Sequence, residues 1–159
     1  MAINSRHPMA KRARPVASEA EDAFVTLMRA ADRVRTALAA VFEPHGITVQ
    51  QYNVLRILRG AEPEGLPTLT IADRMIERAP GITRMIDRLE AKKLVARERR
   101  GGDRRCVHCR ITKHGLALLA RLDEPVDEGD RAAFAALNQR ELAQLVALLE
   151  QVRKAHESA

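Results

Sequence analysis

Between Thr68 and Lys113 the apolar residues pass from helical spacing to strand-like alternation, and few folds tolerate that change inside so short a stretch. Ile82, Met85, Ile86 and Leu89 recur at the i, i+3, i+4, i+7 positions of a buried helical stripe, leaving Gly81, Thr83, Arg84, Asp87 and Arg88 to face outward. Proline suits the first position of a helix because its missing N–H is not needed there, so this helix is expected to begin at Pro80. A shorter helix is expected over Leu69–Glu77, capped by Thr68, with Ile71, Met75 and Ile76 on its apolar face. Arg78 and Ala79 make the turn between the two. Downstream, Leu94–Arg99 and Cys106–Ile111 read as strands joined by Arg100-Gly-Gly-Asp-Arg-Arg105, in which Gly101 and Gly102 supply the positive φ angles of a tight bend.

A helix, a turn, a second helix and a hairpin with an arginine-loaded tip describe a winged helix-turn-helix, a unit that docks on duplex DNA. The second helix is expected to enter the major groove through its N-terminal turn, where the N–H groups of Gly81 and Ile82 are free and Thr83 and Arg84 reach base edges. The hairpin is expected over the adjacent minor groove, with Arg104 or Arg105 inserted and Arg99 and Arg100 on the phosphate backbone. Arginine is a permanently charged planar fork suited to both tasks. Asp103 can hold a neighbouring arginine in register.

The charge distribution agrees with this placement. The chain carries net +6, and counting along it gives +4 for residues 1–17, −2 for 18–67, +7 for 68–113 and −3 for 114–159. Basic charge is concentrated on the expected DNA-facing lobe and on an N-terminal arm, while the flanking helices are mildly acidic. The arm, residues 1–17, reads as disordered; it either adds unspecific phosphate attraction or is a solvated tail. It has no apolar run suited to secretion or membrane insertion, so a cytoplasmic protein is expected. With aromatics at 3% of residues, the core must be aliphatic.

The flanks are helical. Phe24, Leu27, Ala31, Val34, Leu38 and Val41 alternate three and four residues apart within Ser18–Glu43, the seam of a helix packed along another, either in a second copy or in its own core. Pro44-His45-Gly46 ends that helix, Val49–Arg59 forms the next, and Glu62–Pro67 reads as a loop. Thr112 caps a helix carrying Leu116, Leu118, Leu119 and Leu122, and Pro125 is expected to kink or break it near Asp123, with a further helical piece to about Leu137. Asn138-Gln-Arg-Glu141 is a capping box for a last helix with Leu142, Leu145, Val146, Leu149 and Val152 along one side.

No phosphate-cradling glycine loop, H-E-x-x-H pair or nucleophile elbow occurs, and no catalytic groups are paired at a recognisable spacing. Neither an enzyme nor a cofactor or metal is therefore expected. Cys106 and Cys109 are the two cysteines present. On an extended strand their Cα atoms lie about 10 Å apart on opposite faces, too far for an unstrained disulfide and two ligands short of a zinc site. Cys109 reads as a small buried hydrophobe beside Val107 and Ile111. Cys106, between Arg105 and His108, is the position for an oxidant-sensing thiol, since nearby positive charge lowers a thiol pKa. His45, His108 and His114 read as surface or capping residues.

Ile71-Ala-Asp-Arg-Met75, Pro80-Gly-Ile-Thr-Arg-Met-Ile-Asp-Arg-Leu-Glu-Ala-Lys-Lys-Leu-Val95, Asp103-Arg-Arg105 and Ile111-Thr-Lys-His-Gly115, in that order and spacing, resemble a MarR-type transcriptional regulator over nearly the whole chain. The resemblance implies a mainly α fold, with a winged helix-turn-helix lobe and N- and C-terminal helices that form a helical dimerisation lobe. It divides the chain into the arm at 1–17, a dimerisation region of 18–47 with 113–157, and a DNA-binding region at 48–112. It implies a homodimeric, mostly repressing protein on a pseudo-palindromic double-stranded operator. A small effector lowers its affinity from a cleft near Tyr52 and Arg56. Position by position, Pro80, Gly81, Thr83, Arg84 and Arg88 fall on the recognition helix, and Asp103, Arg104 and Arg105 on the wing beside Arg99 and Arg100. Lys93 stands where many members carry a helix-ending glycine, so a left-handed cap there costs about 1 kcal/mol. The turn at Glu77-Arg78-Ala79 also lacks glycine. The family's peroxide sensors usually carry their reactive cysteine near the start of the first helix, where this chain has none. An architectural protein that coats duplex DNA without reading it is the alternative that the same charges allow.

Overall fold

The computed structural model describes residues 18–77, 80–99 and 107–157. The chain divides into two compact units, residues 1–33 and 34–159. The first holds most of helix α1 (Glu19–Phe42), whose opening turn carries Glu19, Glu21 and Asp22 against the positive end of the helix dipole. Ser18 Oγ accepts the Glu21 N–H at 3.2 Å. Phe24, Val25, Leu27 and Met28 of this unit are all exposed.

In the second unit α1 runs out into a 3₁₀ turn (Glu43–His45) closed by Gly46 at φ 66°, as the Pro44-His45-Gly46 run predicts. Helix α2 (Val49–Arg59) begins in a capping box: Thr48 Oγ1 accepts the Gln51 N–H at 3.1 Å and Gln51 Oε1 accepts the Thr48 N–H at 3.2 Å. Tyr52, Val54, Leu55 and Leu58 are buried on it. Helix α3 (Thr68–Arg74), helix α4 (Ile82–Ala91) and the hairpin of β2 (Val95–Arg99) with β3 (Val107–Ile111) follow, then α5 (Lys113–Ala133) and α6 (Gln139–Glu157). The core is aliphatic: Ile71, Ile86, Leu89, Leu119 and Leu122 have no exposed surface, and the Phe42 and Tyr52 rings stack on one another with centroids 4.5 Å apart.

Four expectations are corrected. The Glu62–Pro67 loop contains a strand, β1 (Leu66–Pro67), which pairs antiparallel with β3 so that the sheet order is β1-β3-β2. Two residues show no alternation, and Pro67 is tolerated because this is an edge strand. The first helix of the pair stops at Arg74 rather than Glu77, since the Ile76 N–H donates to Asn53 Oδ1 of α2 at 3.1 Å, leaving Ile76 85% exposed instead of on an apolar face. Thr68 does not cap that helix. It is the first helical residue, and its Oγ1 lies 3.6 Å from Cys109 Sγ. Finally, α5 passes through Asp123 and Pro125 without a break, ending at Ala133 before a turn. Pro125 removes one ladder hydrogen bond, while Leu122 and Val126 on either side are locked in the core and Asp123 is held by Arg59 Nη1 at 2.9 Å.

The start of α5 explains the glycine in Ile111-Thr-Lys-His-Gly115. Thr112 caps the helix by accepting the Gly115 N–H at 3.0 Å, and its hydroxyl donates to the Lys93 carbonyl at 2.7 Å. A Cβ on Gly115 would stand 2.5 Å from the Leu94 carbonyl oxygen and 2.7 Å from Ile111 Cγ1, so only glycine lets α5 sit this close to the hairpin. The Asn138 box of α6 forms as expected, with Asn138 Oδ1 accepting from Arg140 and Glu141 at 3.0 Å and Glu141 Oε2 accepting the Asn138 N–H at 2.9 Å. Val146, Leu148, Leu149 and Val152 of α6 are exposed.

Candidate nucleic-acid interface

Helix α4 is placed by its apolar stripe. Ile82, Ile86 and Leu89 are buried and Met85 half-buried, which turns Thr83, Arg84, Asp87 and Arg88 to the outside as the spacing predicts. The helix begins two residues later than expected. Pro80 is not its first residue, and Gly81 is the N-cap, in a left-handed conformation at φ 92° that costs a side-chain-bearing residue about 1 kcal/mol. Gly81 has no side chain to cap the turn, and among the described residues nothing lies within 4 Å of where its Cβ would be. The free N–H groups of the first turn are therefore those of Ile82, Thr83 and Arg84, beside open space, rather than those of Gly81 and Ile82.

The other end of α4 is a Schellman cap. The Lys93 N–H donates to Glu90 O at 2.8 Å and the Leu94 N–H to Leu89 O at 2.9 Å. Leu89 and Leu94 are both buried, the apolar contact that usually accompanies this cap. Lys93 has φ 59°, the strained left-handed cap expected at this position. Next to it, Lys92 Nζ donates to the carbonyl of Gly46.

Arg97 on β2 joins helix and wing. Its Nη2 lies 2.6 Å from Asp87 Oδ1 and 3.5 Å from the Thr83 carbonyl, its Nη1 2.5 Å from Glu90 Oε2, and its backbone N–H donates to Glu90 Oε1 at 3.3 Å. Burial pulls the guanidinium pKa down, but hydrogen bonds to Asp87 and Glu90 and the charges of both outweigh it, so the pKa is raised. Asp87 is thus structural, and the basic residues Arg84 and Arg88 remain outward on α4. Across the hairpin, Arg110 Nη1 donates to Glu98 Oε2 at 3.0 Å. Arg99 ends β2, opposite Val107. Arg100, Asp103, Arg104, Arg105 and Cys106 lie outside the described residues. Cys109 is a free thiol with no exposed surface.

Arg97, Lys92, Asn53 and the Arg35–Glu77 ion pair at 2.6 Å carry no signal in the local sequence, because each links one element to another. For the start of α2 the signal available in the sequence is the Thr48-x-x-Gln51 spacing of a capping box. Tyr52 and Arg56 come together: the Arg56 guanidinium carbon is 5.9 Å from the Tyr52 ring centroid, and both line a cavity of about 470 Å³ with Leu38, Phe42, Val126 and Asp130. Among the described residues there is no group of three or more side chains placed to hold a metal, and no helix long and apolar enough to cross a membrane.

The MarR family profile matches residues 47–107. The transcriptional regulator PecS of Dickeya dadantii (strain 3937) is 30% identical over 131 residues, 81% of this chain and 78% of PecS. The homoprotocatechuate degradative operon repressor of Escherichia coli is 28% identical over 127 residues, 80% of this chain and 84% of the repressor. Among solved structures, a MarR transcription factor from Planctomyces limnophilus is 40% identical with a TM-score of 0.67, covering 86% of this chain and 98% of that one. With the winged helix-turn-helix geometry, these likenesses establish that the chain belongs to the MarR family of transcriptional regulators.

Proposed function

We propose that this chain is a cytoplasmic, homodimeric transcriptional regulator that reads double-stranded DNA in a sequence-specific way and acts as a repressor relieved by a small ligand. The observation that carries this reading is the outward basic face of α4, open at its N-terminal turn and clasped by Arg97 to a hairpin whose tip is rich in arginine. Thr83 and Arg84 read base edges in the major groove from a turn opened by Pro80 and Gly81. Arg88, Arg99 and Arg100 contact phosphates, and Asp103, Arg104 and Arg105 form the minor-groove tip. The name of the Escherichia coli relative supports the repressor direction. The effector cleft is assigned to the cavity beside Tyr52 and Arg56.

Duplexes selected by the pure protein from a random pool test this assignment. In competition at physiological salt, a selected duplex should be preferred over unrelated DNA by about a thousandfold or more. Equal competition by unrelated DNA would make the protein an architectural coat instead.

A further inference from the structure

The first turn of α4, to which base reading is assigned above, has no side-chain cap, since Gly81 has none to offer. Among the described residues, the one side chain from outside α4 that bonds to this turn is Arg97, whose Nη2 donates to the Thr83 carbonyl at 3.5 Å. Thr83, Asp87 and Glu90 recur at i, i+4 and i+7 and so form one stripe of the helix, and Arg97 engages all three. Arg84 and Arg88 occupy the neighbouring stripe, where Arg88 Nε donates to the Arg84 carbonyl at 3.3 Å. A basic residue on a wing strand would ordinarily be counted among the phosphate contacts. Arg97 is not free to make one: Nη1 is held by Glu90, Nη2 by Asp87 and Thr83, and only 26% of the side chain is exposed.

We infer that Arg97, held by Asp87 and Glu90, is a positioning residue for base readout: it sets the orientation of the first turn of α4, and with it the base selectivity of Arg84, without touching DNA itself. Hydrogen-bonded recognition needs its groups placed to within about half an ångström, and a helix start without a side-chain cap does not supply that by itself. The planar guanidinium does. Its bonds to Glu90, one from Nη1 and one from the backbone N–H of Arg97, fix it against the last turn of α4, while Nη2 reaches forward to Asp87 and the Thr83 carbonyl. The inference rests on the assignment of base reading to Thr83 and Arg84. Charge and positioning have separable signatures. Asp87→Asn removes a negative charge from the DNA-facing lobe and Arg97→Met a positive one, so charge alone moves the affinity for every duplex in opposite directions and leaves the ratio between duplexes unchanged. Positioning lowers that ratio in both variants.

Fluorescence anisotropy compares a selected duplex with the same duplex altered at the base pair where Arg84→Ala loses discrimination, for the full chain, Asp87→Asn and Arg97→Met. The Asp87 side chain is 55% exposed, so its variant decides the matter even where Arg97→Met fails to fold. The ratio of affinities should fall by about fivefold or more in both folded variants, whichever way the affinity for unrelated DNA moves. An unchanged ratio in either folded variant would overturn the inference. So would a loss in Asp87→Asn confined to a different base pair, which would make Asp87 a reader of its own. A chain that selects no duplex, or whose Arg84→Ala variant discriminates as the wild type does, overturns the readout assignment and this inference with it; intact readout with unmoved ratios overturns the inference alone.

Discussion

Arg97 on β2 binds Asp87 at 2.6 Å and Glu90 at 2.5 Å, so the recognition helix and the wing strand share one guanidinium. These are charge-assisted bonds on a side chain only 26% exposed. Arg97→Met should lower stability to urea by about 1–3 kcal/mol and speed amide exchange along the hairpin. Because the folded pKa is raised, this contribution is complete below the ordinary arginine value and is lost only as pH rises through the folded value. The loss in Arg97→Met should therefore be the same at neutral and mildly alkaline pH, and a loss that vanishes in that range would refute the clasp.

Lys93 adopts φ 59°, where glycine is at ease. Lys93→Gly should relieve about 1 kcal/mol of strain, offset in part by the entropy of a freer unfolded chain. A denaturation midpoint that moves up without a change in slope is the expected result; a midpoint that falls would show that the lysine side chain stabilises more than its backbone costs.

At Gly115 even one methyl group collides with the Leu94 carbonyl and with Ile111. Gly115→Ala should therefore destabilise by about 1–3 kcal/mol despite alanine's better helix propensity. Thermal unfolding of the variant at or above the wild-type temperature would mean that α5 can withdraw from the hairpin freely.

Two arginines should fail differently. Arg84→Ala is expected to relax discrimination among duplexes by about 1–3 kcal/mol at the base it reads, with little change on unrelated DNA. Arg100→Ala is expected to weaken all duplexes together and to reduce the salt slope by about one. Gel-shift titrations with selected and scrambled duplexes across a salt series separate the two. Wild-type behaviour in both variants would remove α4 and the wing as the reading surface.

The exposed apolar residues Leu27 on α1 and Leu149 on α6, at 39% each, mark the faces expected to meet a second copy. Sedimentation equilibrium should find the wild type dimeric. Leu149→Arg should shift it toward monomer and weaken duplex binding in step. A wild type that sediments as a monomer at micromolar concentration would dispose of the dimer.

Local sequence decided most of the elements. Helical spacing at Ile82, Met85, Ile86 and Leu89 determined which face of α4 points outward, and Thr112 and Asn138 announced two caps. Such signals are local because capping bonds and apolar periods are set by residues within a turn or two of each other. Tertiary structure alone decided where α3 stops, since its last donor is taken by Asn53 of another helix, and whether Leu66–Pro67 is a loop or an edge strand, since β3 must already be in place. It also decided that Pro125 stays inside a continuous helix, that Asp87 serves Arg97 rather than solvent, and that Gly46 accepts from Lys92 at the end of the recognition helix. Each of these depends on partners beyond the turn or two that capping bonds and apolar periods span, and no local pattern in the sequence encodes such a meeting.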